Sequence, residues 1–514
     1  MLAGVLALLA GCRLDHWASP LPGAMSPPAV AQRITVPPAT SIDLNESVIK
    51  PADLKDITND QLRFSVTEAV NFARANNPRL RAARANIDRA RGQEAVAFSP
   101  FLPQFDILSQ TGYTSNNQGP GSPGAAGFLI GTGDGAHQYA QAEMVLQWTL
   151  YDFGRTSSRF REATARARLA ELQWQRAVQT IDFDVAAAYY NVLLARAYGR
   201  VQDEAIQRAE SILHDTNARR KNGVADKDDV LRAEVQLSES REALVNAREA
   251  EFISLAKLNN VMGRNAGLPL QVIDFEIKEQ PHRPLPEYLS VAANERPEIG
   301  VAREAVAAAV AERDFRAADF RPHIFTRAAV GYVAGDNVRT GWQDGAGLHF
   351  NVPLYTGGRH RGELQSAAAV SDAEIANAQT ILDGISLEVN VAYRIMVASG
   401  EKIGLSRTAV LQSEENLRLM RVKYRNGTAT PTDIVDAETS LTRSQNRYFS
   451  AMYNYLAAVA RLGYAMGQPP GMVLGPATAE QLPPPRPAPQ GALPPVGDVL
   501  PASVKGDPVW TRAP

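Results

Sequence analysis

The segment YRNGTATPTDIVDAE, Tyr424 to Glu438, places two carboxylates, Asp433 and Asp436, three residues apart just after an Asn-Gly turn. Acids at that spacing share one face of a helix. There they can attract cations, repel anions and, when crowded by copies of themselves, hold protons more tightly. Helix chemistry alone accounts for one of them. Thr430 is a good N-cap, Pro431 fits the first helical position, and Asp433 stands where a capping-box acid and the helix dipole both favour a carboxylate. A matching turn lies 204 residues earlier, with Asp226 at the cap and Asp229 three residues on. Asp436 has no such explanation. Its counterpart is Arg232, so neither capping nor repetition asks for an acid there. No catalytic set accompanies these residues. The seven histidines are scattered, and none forms an HExxH or a Cys/His cluster. The reading is therefore a non-enzyme with no cofactor and no metal-ligand motif.

The chain has 514 residues, a net charge of −2 and a pI near 6.4, which gives no footprint of a nucleic-acid binder. Past residue 11 no apolar run approaches the ~20 residues of a membrane helix. That leaves a soluble protein or a β-barrel, whose strands hide their apolarity in alternation. The single cysteine, Cys12, follows the apolar run LAGVLALLAG, which is too short to span a bilayer but fits a signal-peptide core. LLAGC resembles the lipobox of bacterial lipoproteins, which implies a signal peptide at 1–11 and a lipid on Cys12. Met1 to Gly11 contains no Lys or Arg, a departure that points to a start codon further upstream. Arg13, rather than an Asp, after the cysteine implies sorting to the outer membrane by the same resemblance.

Internal repetition organises the rest. At an offset of 219, Pro78 meets Pro297, Arg84 meets Arg303 and Pro103 meets Pro322. From Tyr151 and Tyr355 onward the offset is 204 and holds without a gap to Met262-Gly263 and Met466-Gly467. The chain thus holds two copies of one unit, at 64–263 and 285–467. An arm at 12–63 precedes them, a linker at 264–284 joins them, and a Pro-rich tail at 468–514 follows. The extra residues of copy one fall in GPGSPGAAGFLIGTGDG, which lacks the Lys-Ser/Thr of a phosphate loop and reads as a hairpin loop.

Each copy reads helix, strand, loop, strand, long helix, turn, long helix. In YAQAEMVLQWTLY, Ala140, Ala142, Met144, Leu146, Trp148 and Leu150 alternate with Tyr139, Gln141, Glu143, Gln147 and Thr149. Ala346, Leu348, Phe350, Val352 and Leu354 repeat that phase. The first strands, near 104–114 and 323–333, alternate less cleanly. Asp152 to Lys221 contains no proline and predicts ~100 Å of helix. The returning helices carry a heptad with large residues at one seam position (Ile434, Leu441, Tyr448, Tyr455, Leu462) and small ones at the other (Ala437, Ser444, Ala451, Ala458, Ala465). Val230, Leu237, Leu244 and Leu258 keep the same frame in copy one.

Two such copies, with LYDFGR and LYTGGR opening the long helices, resemble the TolC-type outer-membrane efflux proteins over about residues 60–467. The lipobox resembles that of the lipidated branch. The resemblance implies a mixed α and β fold: a long coiled-coil α-helical barrel, and four strands per chain contributed to a 12-stranded transmembrane β-barrel shared by a homotrimer. It implies outer-membrane lipid around the barrel, a periplasmic adaptor and an inner-membrane transporter as partners, and a passive conduit gated at the helical tips. Its extracellular loops fall at 115–137 and 334–341. By the same resemblance Asp433 and Asp436 match pore-narrowing aspartates, Tyr424 a gate tyrosine and Asp229 that tyrosine's hydrogen-bonding aspartate. The family's gate arginine falls at Ala429, so that salt link is absent. Two alternatives stand beside the efflux channel: a periplasmic coiled-coil scaffold without a pore, and a type I protein-secretion duct.

Overall fold

A computed structural model describes residues 63–116, 135–274, 283–335 and 340–469. The expected signal peptide, Cys12, nearly all of the 12–63 arm, the body of the Gly-rich loop and almost the whole tail lie outside the described residues, as do parts of the linker and of the 334–341 loop. The elements run β1 (Arg63–Phe64), α1 (Val66–Asn76), α2 (Pro78–Phe98), β2 (Gln104–Asn116), β3 (Gly135–Tyr151), α3 (Arg155–Lys221), α4 (Lys227–Met262) and β4 (Gln271–Val272). Copy two follows with α5 (Leu285–Glu295), α6 (Pro297–Ala318), β5 (His323–Gly335), β6 (Gly341–Asn351), α7 (Arg359–Arg425) and α8 (Pro431–Met466). Among the described residues no helix is long and apolar enough to cross a membrane.

One compact unit, built from residues 92–156 and 322–352, is a four-stranded antiparallel sheet in the order β2-β3-β5-β6. Its register sorts the side chains by face. Phe105 pairs with Leu146, Ile107 with Met144, and Leu146 with Ala328, so one face is apolar across the strands. Phe105, Ile107, Met144, Leu348, Phe350 and Trp342 are large and exposed on that face. The opposite face carries Gln104, Gln141, Glu143, Gln147, Arg327 and His349. A sheet that exposes its apolar side and gathers its polar side is the inverse of a water-soluble sheet and the pattern of a lipid-facing one. The blurred alternation of β5 has a local cause. A Cβ on Gly331 would come within 2.7 Å of the Glu143 Cβ, so this inward position must stay small to leave room for the buried Glu143. The apolar phase of copy two ends sooner than its sequence suggests. β6 stops at Asn351, and Val352 and Leu354 lie beyond it.

Turns with positive φ lead into both long helices. Phe153 and Gly154 have φ of 51° and 96°, and Gly357 and Gly358 have φ of 62° and 84°. This explains the shared motif: LYDFGR and LYTGGR each need two successive left-handed residues before the helix. Phe153, lacking glycine's freedom, is helped by Asp152, whose carboxylate accepts hydrogen bonds from the Thr156 backbone N–H and hydroxyl.

The other unit is helical. Its long helices α3 and α7 both have 67 residues, about 100 Å each. The returning helices α4 and α8 both have 36. The heptad faces inward as its period requires: Ile434, Leu441, Tyr455 and Leu462 are buried, with Ala437, Ser444, Ala451, Ala458 and Ala465 between them. Val230, Leu237, Leu244 and Leu258 are buried likewise. One core cluster centres on Tyr189, Tyr190, Leu193, Leu258, Met262 and Leu456, and another on Leu382, Val389, Met396, Tyr455 and Leu462. The Tyr189 hydroxyl donates toward the carbonyls of Phe64 and Ile273 at 2.9 and 2.6 Å, pinning the small β1–β4 sheet onto α3. Burial pushes its phenol up to about 12.

Candidate functional site

The two helical hairpins end in near-identical turns. Gly223 and Gly427 take left-handed φ of 73° and 74°, letting each chain reverse within a few residues. At the second tip the capping chemistry is complete. The Thr430 N–H and hydroxyl both donate to Asp433 at 2.8 Å, and the Asp433 N–H donates back to Thr430 Oγ1 at 3.3 Å. Those hydrogen bonds, backbone first, with Lys423 adding charge, hold the Asp433 carboxyl below its ordinary value. At the first tip Asp229 accepts from the Asp226 N–H at 3.2 Å.

Asp436 is placed differently. It is exposed, on the same stretch of α8 as Asp433, and among the described residues it makes no hydrogen bond or ion pair. Arg232, its copy-one counterpart, is engaged: it pairs with Asp228 at 3.0 Å and donates to Thr432 Oγ1 of the other tip at 3.1 Å.

Tyr424 is 7% exposed and packs with Ile212, Ala233, Leu417, Ile434, Ala437 and Leu441. Its hydroxyl meets Thr216 Oγ1 at 3.3 Å, and the Arg219 guanidinium lies 3.9 Å from its ring centroid. The expected hydrogen bond from Tyr424 to Asp229 is not formed. Burial satisfies the tyrosine inside the junction of α3 and α7, while Asp229 serves its own helix start. Tyr424 still ties one hairpin to the other, through α3 rather than through the opposite tip.

Another tie between the hairpins was not singled out from sequence. Glu438 is 5% exposed and accepts from Arg208 Nε of α3 at 2.6 Å and from Arg421 Nη2 of α7 at 2.7 Å. Arg208 also donates to Thr442 Oγ1 at 3.3 Å. A carboxylate taken out of water is held here by two charge-assisted bonds from two helices. A signal existed in the repeat. Glu234 and Glu438 are counterparts, yet Arg208 and Arg421 correspond to Gln412 and Asn217, so only Glu438 has arginines at the matching positions, one from each copy.

A sheet with an exposed apolar face and two paired hairpins, each with one helix of ~100 Å, define the class of channel-forming outer-membrane proteins that carry long helical extensions. Comparison with known proteins resolves the class. A model of the outer membrane efflux protein family matches residues 69–264 and 288–468. TolC of Escherichia coli is 25% identical over 417 residues, 77% of this chain and 80% of TolC. The probable efflux pump outer membrane protein SepC of Pseudomonas putida is 25% identical over 473 residues, 89% of this chain and 94% of SepC. The crystal structure of VceC from Vibrio cholerae superposes with a TM-score of 0.67 at 21% identity, covering 78% of this chain and 96% of VceC, a likeness of fold. The chain belongs to the outer membrane efflux protein family. It is a non-enzymatic efflux channel protein of the bacterial outer membrane, with its helical part on the periplasmic side.

Proposed function

We propose that three copies of this chain close into one passive conduit, opened at the helical tips by a periplasmic adaptor and an inner-membrane transporter. One observation carries the assembly. The apolar-faced sheet ends in β2 and β6, strands of 13 and 11 residues, each paired on one side only among the described residues. Lipid cannot satisfy unpaired backbone groups, and four strands cannot close a barrel that needs about eight. Neighbouring copies must cover those edges. The name of SepC supports an efflux pump as the inner-membrane partner, while the similar AprF of Pseudomonas aeruginosa, named for alkaline protease secretion, supports a protein-secretion duct. The apolar run before Cys12 supports a lipid anchor at that residue.

At the tips the contacts Arg208–Glu438–Arg421, Thr216–Tyr424 and Arg232–Thr432 hold the second hairpin against the first. Opening breaks them. Asp433 is committed to its cap, and Asp229 to its own helix start. Asp436 is the unengaged acid, and three copies around one axis form a cation-selective ring. In planar bilayers, Asp436→Ala lowers the K⁺/Cl⁻ permeability ratio about twofold or more and weakens block by multivalent cations. An unchanged ratio removes Asp436 from the pore, and a chain that forms no channel at all removes the conduit.

A further inference from the structure

The sequence offered no metal-ligand motif, but the fold brings one set together in the helical unit, where α6 ends and α7 begins. Asp319 is the C-cap of α6, and its side chain is 4% exposed. A carboxylate there lies at the negative end of the helix dipole and out of water, an environment that favours positive charge beside it. His360 and Glu363 stand three residues apart at the start of α7. His360 Nδ1 lies 4.0 Å from the Asp319 carboxylate and 3.9 Å from that of Glu363. One ligand atom from each of the three residues falls within 4.8 Å of the others. The His360 Nδ1 atom is shut off from water and has no hydrogen-bond partner.

These separations are too long for hydrogen bonds. They suit ligands grouped around a missing centre. Four atoms bound tetrahedrally at about 2.0–2.2 Å stand about 3.4 Å apart, so small side-chain rotations close the present spacing onto an ion. Arginines compete for these carboxylates: Arg359 Nη1 lies 3.9 Å from Glu363, and Arg316 is the closer rival. Its Nη1 lies 3.8 Å from Asp319 and 3.7 Å from Glu363, but its Nε donates to Glu312 at 2.9 Å. At those distances it adds positive charge and orients the carboxylates without a hydrogen bond from Nη1 to either. The Phe320 ring, 5.7 Å from that of His360, walls the imidazole. The architecture does not require the set. The equivalent positions of copy one are Pro100, Thr156 and Arg159, and the same helix start forms there without them.

We propose that Asp319, His360 and Glu363 bind a divalent transition-metal ion that joins the end of α6 to the start of α7. One imidazole nitrogen with two carboxylates suits Zn²⁺, Co²⁺ or Mn²⁺ better than thiolate-seeking Cu⁺ or all-oxygen Mg²⁺. Water completes the coordination. The test uses full-length protein in detergent, stripped with a chelator, then titrated with Co²⁺ by visible absorption and with Zn²⁺ by calorimetry. The expected result is one ion per chain, with affinity at least about tenfold weaker in both His360→Ala and Glu363→Gln. The conservative Glu363→Gln separates loss of a ligand from loss of shape. An ion held only by exposed tip carboxylates would survive both variants. Absence of saturable binding in the parent chain, or variants that bind as tightly as the parent, overturns the proposal.

Discussion

The first and second helical tips share lengths, turns and capping, yet they differ in what they do with charge. Glu438 is buried between two arginines, while its counterpart Glu234 is exposed. Tyr424 is buried against α3, while its counterpart Arg220 is exposed. Arg232 reaches the neighbouring tip, while its counterpart Asp436 reaches nothing described. Duplication supplied one scaffold twice. Divergence then put the clasp in copy two and in the face of copy one that it touches. The lesson is that repeat symmetry predicts where a helix turns but not which of its residues carries function.

The largest expected break in that contrast is at Tyr424. Tyr424→Ala opens a cavity in a packed junction and costs about 3–5 kcal/mol in chemical denaturation. Tyr424→Phe loses only the Thr216 contact, about 0.5–1.5 kcal/mol. Arg220→Ala stays within about 0.5 kcal/mol. If Phe and Ala cost the same, the hydroxyl rather than the packing matters most. Next is Glu438→Gln, which leaves Arg208 and Arg421 facing each other without a carboxylate. With Arg421 partly in water, the loss is about 2–3 kcal/mol, with raised single-channel conductance as the second readout. Glu234→Gln should be near neutral, and equal effects of the two would erase the difference between the tips.

Smaller still is the cap. Thr430→Ala removes a side-chain acceptor at the start of α8 and costs about 1 kcal/mol in thermal unfolding. The Asp433 carboxyl is held below its ordinary value by Thr430. Its contribution is therefore present above the unfolded-state value near 4 and fades as the pH falls through the lower folded-state value. Asp433→Asn should flatten that acid-side loss. A variant that loses stability with the same slope as the parent would assign the acid sensitivity elsewhere.

Much of this was legible before any coordinates. Helix lengths, heptad seams and both cap positions follow from local periodicity and turn chemistry, which leave regular marks in a chain. Asp433 and Asp229 could be assigned to capping because their partners lie three residues away. The clasp was not legible because Arg208 and Glu438 lie 230 residues apart and meet only once α3 and α8 pack. The same is true of Asp319 and His360. Tyr424 was expected to reach across to the opposite tip. It turned inward because its ring gains more from burial against Ile212 and Leu441 than its hydroxyl would gain near water. β2 and β5 read poorly as strands because Leu108 falls on the polar face and Gly331 is set by its neighbour's bulk rather than by hydropathy.

The equal lengths of α3 and α7, and of α4 and α8, carry a consequence for how such a chain can change size. One extra residue in a long helix turns every later side chain by ~100° and ruins the seam. A whole heptad added to both arms of one hairpin keeps the seam but carries that tip about 10 Å past the other. Arg208 would then lose Glu438, and Thr216 would lose Tyr424. Only matched heptads in all four helices lengthen the structure without unfastening it. Conduits of this kind should therefore lengthen in steps of seven, in both halves of the gene at once, and intermediate lengths should be missing.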